Sequence, residues 1–148
     1  MSSPGSQCFA VKLESNLVLV VGGESRDSIT TEILDITPAD ITSWSFAPGP
    51  TMSLERWDVF SIVPIHDSAH FLFVGGSDSF GTAMITTEVL DVNTMSFEPG
   101  PVMQTWRCLY SAAALDAHHI IVFGGADLSF ESLSSSEVIV INDNIAEE

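Results

Sequence analysis

Histidines are the first candidates for chemistry in this chain, because imidazole nitrogens bind metal ions and transfer protons near neutral pH. All of them fall in short polar turns between apolar runs rather than on a predicted helix, where a spacing of three or four residues would build a zinc site. His66 and His70 are close enough to approach each other across their turn. We therefore predict solvated loops and no metal centre. The four histidines are His66, His70, His118 and His119.

A tyrosine and a cysteine form the second candidate pair. Tyr110 is the only tyrosine and stands two residues after Cys108. Alternation along a strand would place both side chains on the same face. No histidine ligands stand nearby in the sequence, so we interpret the pair as packing residues.

Charged residues also recur along the chain. Arg56 and Arg107 occupy equivalent positions, and a guanidinium can bind a partner carboxylate through two hydrogen bonds. The alternative is an internal ion pair with one of the recurrent acids. Those acids include Glu32, Asp35, Glu88 and Asp91. Glu32, Glu88 and Glu137 occupy one equivalent position in separate repeats, so they are too far apart to share a metal ion. No nucleophile elbow, P-loop or dinucleotide fingerprint is present, so we expect neither an enzyme nor a cofactor.

The elements that position these residues are repeated. The passage TTEILDITPADITSWSFAPGPTMSLER spans Thr30–Arg56, and a close copy, TTEVLDVNTMSFEPGPVMQTWR, spans Thr86–Arg107. An apolar run ending in two glycines precedes each copy, and a third such run is followed by SEVIV at 136–140. The Gly-Gly pairs begin at Gly22, Gly75 and Gly124, so they are 53 and 49 residues apart.

A period near 50 with these motifs resembles the kelch repeat, whose unit is a four-stranded propeller blade. The resemblance covers nearly the whole chain and implies a single all-β domain over 1–148. Its blades are expected at about 6–47, 56–98 and 107–141. The third blade lacks its outer strand, because the residues after Ile141 are too polar to pair well.

Strand boundaries follow from the apolar runs and the turns between them. The first copy predicts strands over 6–13, 17–21, 31–36 and 41–46. The second predicts them over 57–64, 71–74, 87–92 and 95–97, and the third over 108–115, 119–123 and 137–141. The prolines of each Pro-Gly-Pro passage exclude a helix there.

Three blades are too few for a propeller, which closes with roughly four to eight. Uncovered blades would expose apolar faces and unpaired edges. We expect a second copy of the chain to complete a six-bladed ring with two-fold symmetry, as a homodimer through its blade edges. A piece of a longer propeller and a subunit that completes a different protein's ring remain alternatives.

Composition restricts the partners. The chain has 20 acidic and 4 basic residues and a net charge of −16, which would repel nucleic acid and attract cationic surfaces. An acidic surface also serves solubility. No apolar run is long enough to cross a bilayer, and the N-terminus does not resemble a secretory signal. We therefore expect a cytoplasmic protein with no membrane partner.

The predicted binding surface is the end of the ring where the loops between the second and third strands meet the connections between blades, since loops on a rigid scaffold commonly carry recognition. Phe80 and Phe130 recur there as possible exposed anchors among acids, or they fold back over the blades. The residues assigned to partner binding are Arg26, Asp27, Arg56, Asp78, Phe80, Arg107, Asp127, Phe130 and Glu131.

The expected function is a non-catalytic protein-binding scaffold that favours a cationic partner. Two alternatives stay open. A sugar oxidase or epimerase built on a kelch-type ring would need polar groups that converge at the ring axis. A purely structural subunit would use its blade edges, not its loops, as the interface.

Overall fold

A computed structural model describes residues 8–13, 16–21, 29–57, 61–66 and 69–142, which fold into three antiparallel sheets. The first sheet contains β1 (Phe9–Lys12), β2 (Leu17–Val21), β3 (Thr31–Asp35) and β4 (Ser45–Pro48). The second contains β5 (Ser61–Ile65), β6 (His70–Val74), β7 (Thr87–Asp91) and β8 (Ser96–Pro99). The third contains β9 (Ser111–Ala114), β10 (His119–Phe123) and β11 (Ser136–Val140). Strands adjacent in sequence are adjacent in each sheet, so the predicted all-β organisation is confirmed.

The described residues contain no α-helix, and none of their elements is a helix long and apolar enough to cross a membrane.

The prediction for the outer strand of the first sheet was partly wrong. Residues Ile41–Ser43 form a single 3₁₀ turn, and the strand follows at Ser45–Pro48. The turn forms because the carboxylate of Asp40 accepts a hydrogen bond from the backbone N–H of Thr42, at 2.9 Å, and caps it. Pro48 is tolerated because it lies on an edge strand, where its missing N–H leaves no neighbouring strand unpaired.

The inner strand of the third sheet is shorter at its start than predicted, because β9 begins at Ser111, whereas residues 58–60 of the strand predicted for the second sheet lie outside the described residues. Trp57 and Cys108, where the predictions began, form isolated bridges to Ser77 and Ala126 instead of joining β5 and β9. These bridges attach each connection between sheets to the loop after the second strand of the next sheet. The third sheet has three strands within the described residues, as expected.

The second sheet lies in the middle of the molecule, with an apolar layer on each side. Residues such as Leu19 and Ile33 of the first sheet pack against Phe73 and Leu90 of the second. On the other side, Val63, Leu72 and Val89 pack with Ile120, Val122 and Ile139 of the third sheet. Strand β6 is almost completely buried for this reason, and its run of apolar residues reflects contacts on both faces.

The recurrent Thr-Thr-Glu and Pro-Gly-Pro motifs fold against each other. The hydroxyl of Thr87 donates to the carbonyl of Pro101 at 2.6 Å, and the N–H of Gly100 donates to the carbonyl of Thr87 at 3.0 Å. A Cβ at Gly100 would collide with the threonine oxygen, so the sequence requires glycine between the prolines. The same two bonds join Thr31 to Pro50 and Gly49.

The two terminal sheets each have an outer face that no part of the described chain covers. Strand register places Leu115, Ile121, Phe123, Val138 and Val140 together on the outer face of the third sheet, which we call the third-sheet flank. Phe123, Val138 and Val140 are each 47–49% exposed. The corresponding face of the first sheet, the first-sheet flank, carries Val18, Val20, Leu34 and Phe46.

Candidate functional site

The loops and the connections between sheets meet at one end of the molecule, which we call the loop end. The N–H of Trp57 donates to the carbonyl of Ser77 at 2.7 Å, and the N–H of Ser77 returns a bond to Trp57 at 2.9 Å. Cys108 and Ala126 form the same reciprocal pair, with both bonds at 2.9 Å. The predicted meeting of these loops with the connections between sheets is therefore present in the second and third sheets. Arg26 and Asp27 of the predicted site lie outside the described residues.

The loop of the second sheet is organised by Asp78. One carboxylate oxygen of Asp78 accepts hydrogen bonds from the backbone N–H groups of Phe80 and Thr82, at 2.9 and 2.8 Å. The backbone closes the same turn, because Gly81 N–H donates to the Asp78 carbonyl. These hydrogen bonds, led by the one from Thr82, hold the pKa of Asp78 below its usual value. The loop is thus fixed by a charged group that is itself on the surface.

The loop of the third sheet repeats this framework around Asp127. Its Oδ1 accepts hydrogen bonds from the N–H groups of Ser129 and Glu131, at 2.8 and 3.0 Å. The N–H of Phe130 donates to the Asp127 carbonyl at 3.0 Å, as Gly81 does in the second loop. Asp78 and Asp127 are therefore equivalent.

Phe80 and Phe130 are exposed at the tips of these loops. Their exposed fractions are 91% and 71%, so neither ring folds back over the sheets. They do not occupy equivalent positions, however. Phe130 takes the place of Gly81 and has a left-handed backbone, with φ of 60° against 78° for the glycine. For a residue that has a side chain, the left-handed conformation is about 1–2 kcal/mol less stable than the right-handed one.

A groove of about 310 Å³ lies beside the third loop and was not predicted as a site. Trp106, 44% exposed, supplies its aromatic wall. The full lining is Gln104, Thr105, Trp106, Asp127, Leu128 and Ser129. Trp106 directly precedes the recurrent Arg107 in the sequence. Its proximity to Asp127, 21 residues later, depends on the bridge between Cys108 and Ala126.

Arg56 is in the interior and not on the binding surface. Its Nε lies 3.0 Å from Oε2 of Glu88, and its Nη1 donates to the carbonyls of Gly75 and Thr86 at 2.8 and 2.9 Å. Burial lowers the pKa of Arg56, while the charge of Glu88 acts in the opposite direction. The other oxygen of Glu88 accepts bonds from the N–H and the hydroxyl of Ser53.

Arg107 repeats this arrangement in the third sheet. Its Nε lies 3.1 Å from Oε1 of Glu137, and its Nη1 donates to the carbonyl of Gly124 at 2.8 Å. The N–H of Gln104 donates to the other oxygen of Glu137 at 2.6 Å, in place of the Ser53 contact. Both arginine side chains are fully buried, which favours the internal ion pair over partner binding, and we leave them out of the proposed surface.

The histidines lie at the opposite end: His66 and His118 stand in the connections before β6 and β10, and His70 and His119 are the first residues of those strands. The rings of His66 and His70 are 6.3 Å apart between centroids, and those of His66 and His118 are 4.9 Å apart. The approach of His66 to His70 was expected. The contact between His66 and His118, which joins the second sheet to the third, was not. Within the part of the chain that the structure describes, no three His, Cys, Asp or Glu side chains are arranged to hold a metal ion.

Tyr110 and Cys108 are both buried at the junction of the second and third sheets. The hydroxyl of Tyr110 donates to the backbone carbonyl of Val74, the last residue of β6. A Cβ at Gly75 would collide with this hydroxyl, which explains the glycine after β6. Burial raises the pKa of Tyr110. The tyrosine therefore connects two sheets.

Comparison with known proteins assigns the chain to a fold class only. Its three stacked antiparallel sheets make it an all-β protein, consistent with a propeller-like segment. No family model and no curated protein matches the chain. A solved structure described as "Structure of YjhT" has a TM-score of 0.71 at 12% identity, covering 95% of this chain and 44% of that one. At this identity the likeness shows the fold alone, and the chain spans less than half the length of that structure.

Proposed function

We propose that the three sheets are blades of a kelch-type β-propeller and that the chain is a non-catalytic scaffold that binds a cationic protein segment at its loop end. The observation that carries this proposal is the presentation of Phe80 and Phe130 on two matching loop frameworks, each fixed by an aspartate. Exposed aromatic side chains on rigid loops are typical anchors of protein interfaces.

The backbone at Phe130 supports a binding role. The equivalent residue of the second loop is Gly81, which adopts the left-handed conformation at no steric cost. The third loop instead has a large apolar side chain there, both strained and exposed to water. Neither feature stabilises the isolated chain, and strained residues cluster at binding and catalytic sites.

The charge of the chain supports a cationic partner. The net charge is −16, and Asp78, Asp127 and Glu131 lie beside the two phenylalanines. Such a surface accelerates encounters with a basic segment and disfavours acidic partners. The apolar rings would supply the contact area that surface charges alone do not provide.

We further propose that a second copy completes the propeller, with the third-sheet flank of each chain packed on the first-sheet flank of the other. Two contacts of this kind give a closed six-bladed ring with two-fold symmetry. Two facts support this arrangement: both flanks carry several apolar side chains, and the similar solved structure is more than twice as long as the segment it shares with this chain.

The loop-end proposal can be tested by selecting peptides from a random 12-residue display library on the purified protein. We expect selected peptides to combine Arg or Lys with apolar residues. The double variant Phe80→Ser, Phe130→Ser should bind a selected synthetic peptide at least about tenfold more weakly. Ile41→Ser is the matched control, because Ile41 is an exposed apolar residue at the opposite end of the first sheet.

A control variant that loses as much affinity as the double variant would contradict the proposal. So would a double variant that binds like the unmodified protein. Selection of acidic peptides would contradict the assigned charge of the partner.

A further inference from the structure

The groove beside Trp106 has the groups needed to hold one cationic side chain. Its volume, about 310 Å³, is at the small end of the range for ligand pockets. Trp106 supplies an aromatic surface and Leu128 an apolar one, while Asp127 supplies a carboxylate. We propose that this groove binds an arginine side chain of the protein partner, an inference that rests on the proposed function of the loop end.

The carboxylate of Asp127 is held in place with one oxygen still available. Oδ1 accepts the two backbone hydrogen bonds from Ser129 and Glu131 that fix the loop. Within the described part of the chain, Oδ2 makes no hydrogen bond. A guanidinium could therefore bind this oxygen without disturbing the loop, through a charge-assisted hydrogen bond.

Arginine fits this lining better than lysine or a neutral sugar. Its planar guanidinium stacks on an aromatic ring and at the same time donates to a carboxylate, whereas the compact, strongly hydrated lysine ammonium does so less well. The apolar stem of arginine can pack against Leu128. A neutral sugar would gain nothing from the net charge of −16.

The second sheet has the same loop framework without the residues that form the walls of this groove. By alignment of Arg56 with Arg107 and of Asp78 with Asp127, the positions of Trp106 and Leu128 are occupied by Glu55 and Ser79. The second sheet thus has the fixed carboxylate without the aromatic and apolar walls. We therefore assign the arginine site to the third sheet alone.

The test is an NMR titration with N-acetyl-arginine amide, observed at the indole N–H of Trp106, which is assigned by comparison with Trp106→Phe. We expect a saturable shift. Asp127→Asn keeps the Oδ1 acceptor and removes the charge, so the loop persists while the dissociation constant rises at least about fivefold. Asp40→Asn makes the same change at a capping aspartate of the opposite end and should have no effect. N-acetyl-lysine amide should bind more weakly than the arginine probe.

Several results would overturn the inference. These are no shift at Trp106, an equal loss of affinity in Asp40→Asn, and a shift caused by glucose but not by the arginine probe. The inference can fail while the proposed function holds: if the phenylalanine double variant loses the selected peptide but Asp127→Asn binds the arginine probe normally, the loop end is a binding surface and this groove is not its arginine site.

Discussion

The Nε of Arg56 lies 3.0 Å from Oε2 of Glu88, and the exposed fractions of the two side chains are 0% and 2%. Arg56 belongs to the connection that enters the second sheet, while Glu88 belongs to β7. The pair therefore ties a segment between sheets to the interior of the next sheet. Its equivalent, Arg107 with Glu137, does the same for the third sheet at 3.1 Å.

Replacement of Glu88 by alanine should destabilise the fold by about 3–5 kcal/mol, because it leaves Arg56 buried without a counter-charge. Glu137→Ala is the matched comparison and should cost less, since Glu137 is 11% exposed and water can reach its arginine more easily. Urea unfolding at a fixed protein concentration measures both values. Equal stability of Glu88→Ala and the unmodified chain would show that the ion pair does not hold the sheet.

Much of the fold, but little of the site, followed from the sequence. The repeated Thr-Thr-Glu and Pro-Gly-Pro passages predicted the order of strands because local turn chemistry fixes them, as the bond from Thr87 to Pro101 illustrates. The 3₁₀ turn at Ile41–Ser43 was missed because β-branched residues favour a strand, whereas the side chain of Asp40 caps a turn there.

The site depends on contacts between distant residues. Trp106 and Leu128 line one groove only because the connection and the loop are bridged in space. The recurrence of Phe80 and Phe130 at nearby offsets was visible in the sequence, but the left-handed conformation that Phe130 shares with Gly81 appeared only in the structure. The burial of both arginines, likewise, follows from packing that no local pattern encodes.

Phe130→Gly should stabilise the chain by about 0.5–1 kcal/mol, because relief of the left-handed strain outweighs the added freedom of glycine in the unfolded state. Phe80→Gly is the control and should destabilise slightly, since Phe80 has a negative φ. Thermal or urea unfolding compares the two variants. A loss of stability in Phe130→Gly would show that the phenylalanine ring makes stabilising contacts within the isolated chain, which would argue against a role reserved for partner binding.

Tyr110 should make the fold sensitive to alkali. Burial raises its pKa above the ordinary value of 10.0, so its contribution to stability is complete below pH 10 and is lost as the pH rises through the folded-state value. Because the chain has one tyrosine, the phenolate absorbance reports this group alone. We expect ionisation to coincide with unfolding above pH 10. Ionisation near pH 10 in a folded protein would contradict the burial.

Tyr110→Phe is the companion variant. It should lose about 1–3 kcal/mol at neutral pH, because the Val74 carbonyl is left buried without its donor. Because the variant has no phenol at this position, its stability should fall less between neutral and alkaline pH than that of the unmodified protein.

Val138→Lys should break the proposed pairing of chains, because it places a charge on the third-sheet flank where the second copy would bury it. The folded monomer should tolerate the lysine, since Val138 is 47% exposed within one chain. Val102→Lys is the control, at an exposed valine outside both flanks. Gel filtration of both variants at equal concentration checks the prediction, and the same elution volume for both would argue against this interface.

Sedimentation equilibrium of the unmodified protein tests the proposed assembly most directly. The completed ring requires a stable species of about 32 kDa, twice the 15.9 kDa of one chain. A folded, monodisperse species of 15.9 kDa over the same range of concentrations would contradict it, because both apolar flanks would then be stable in water without a partner.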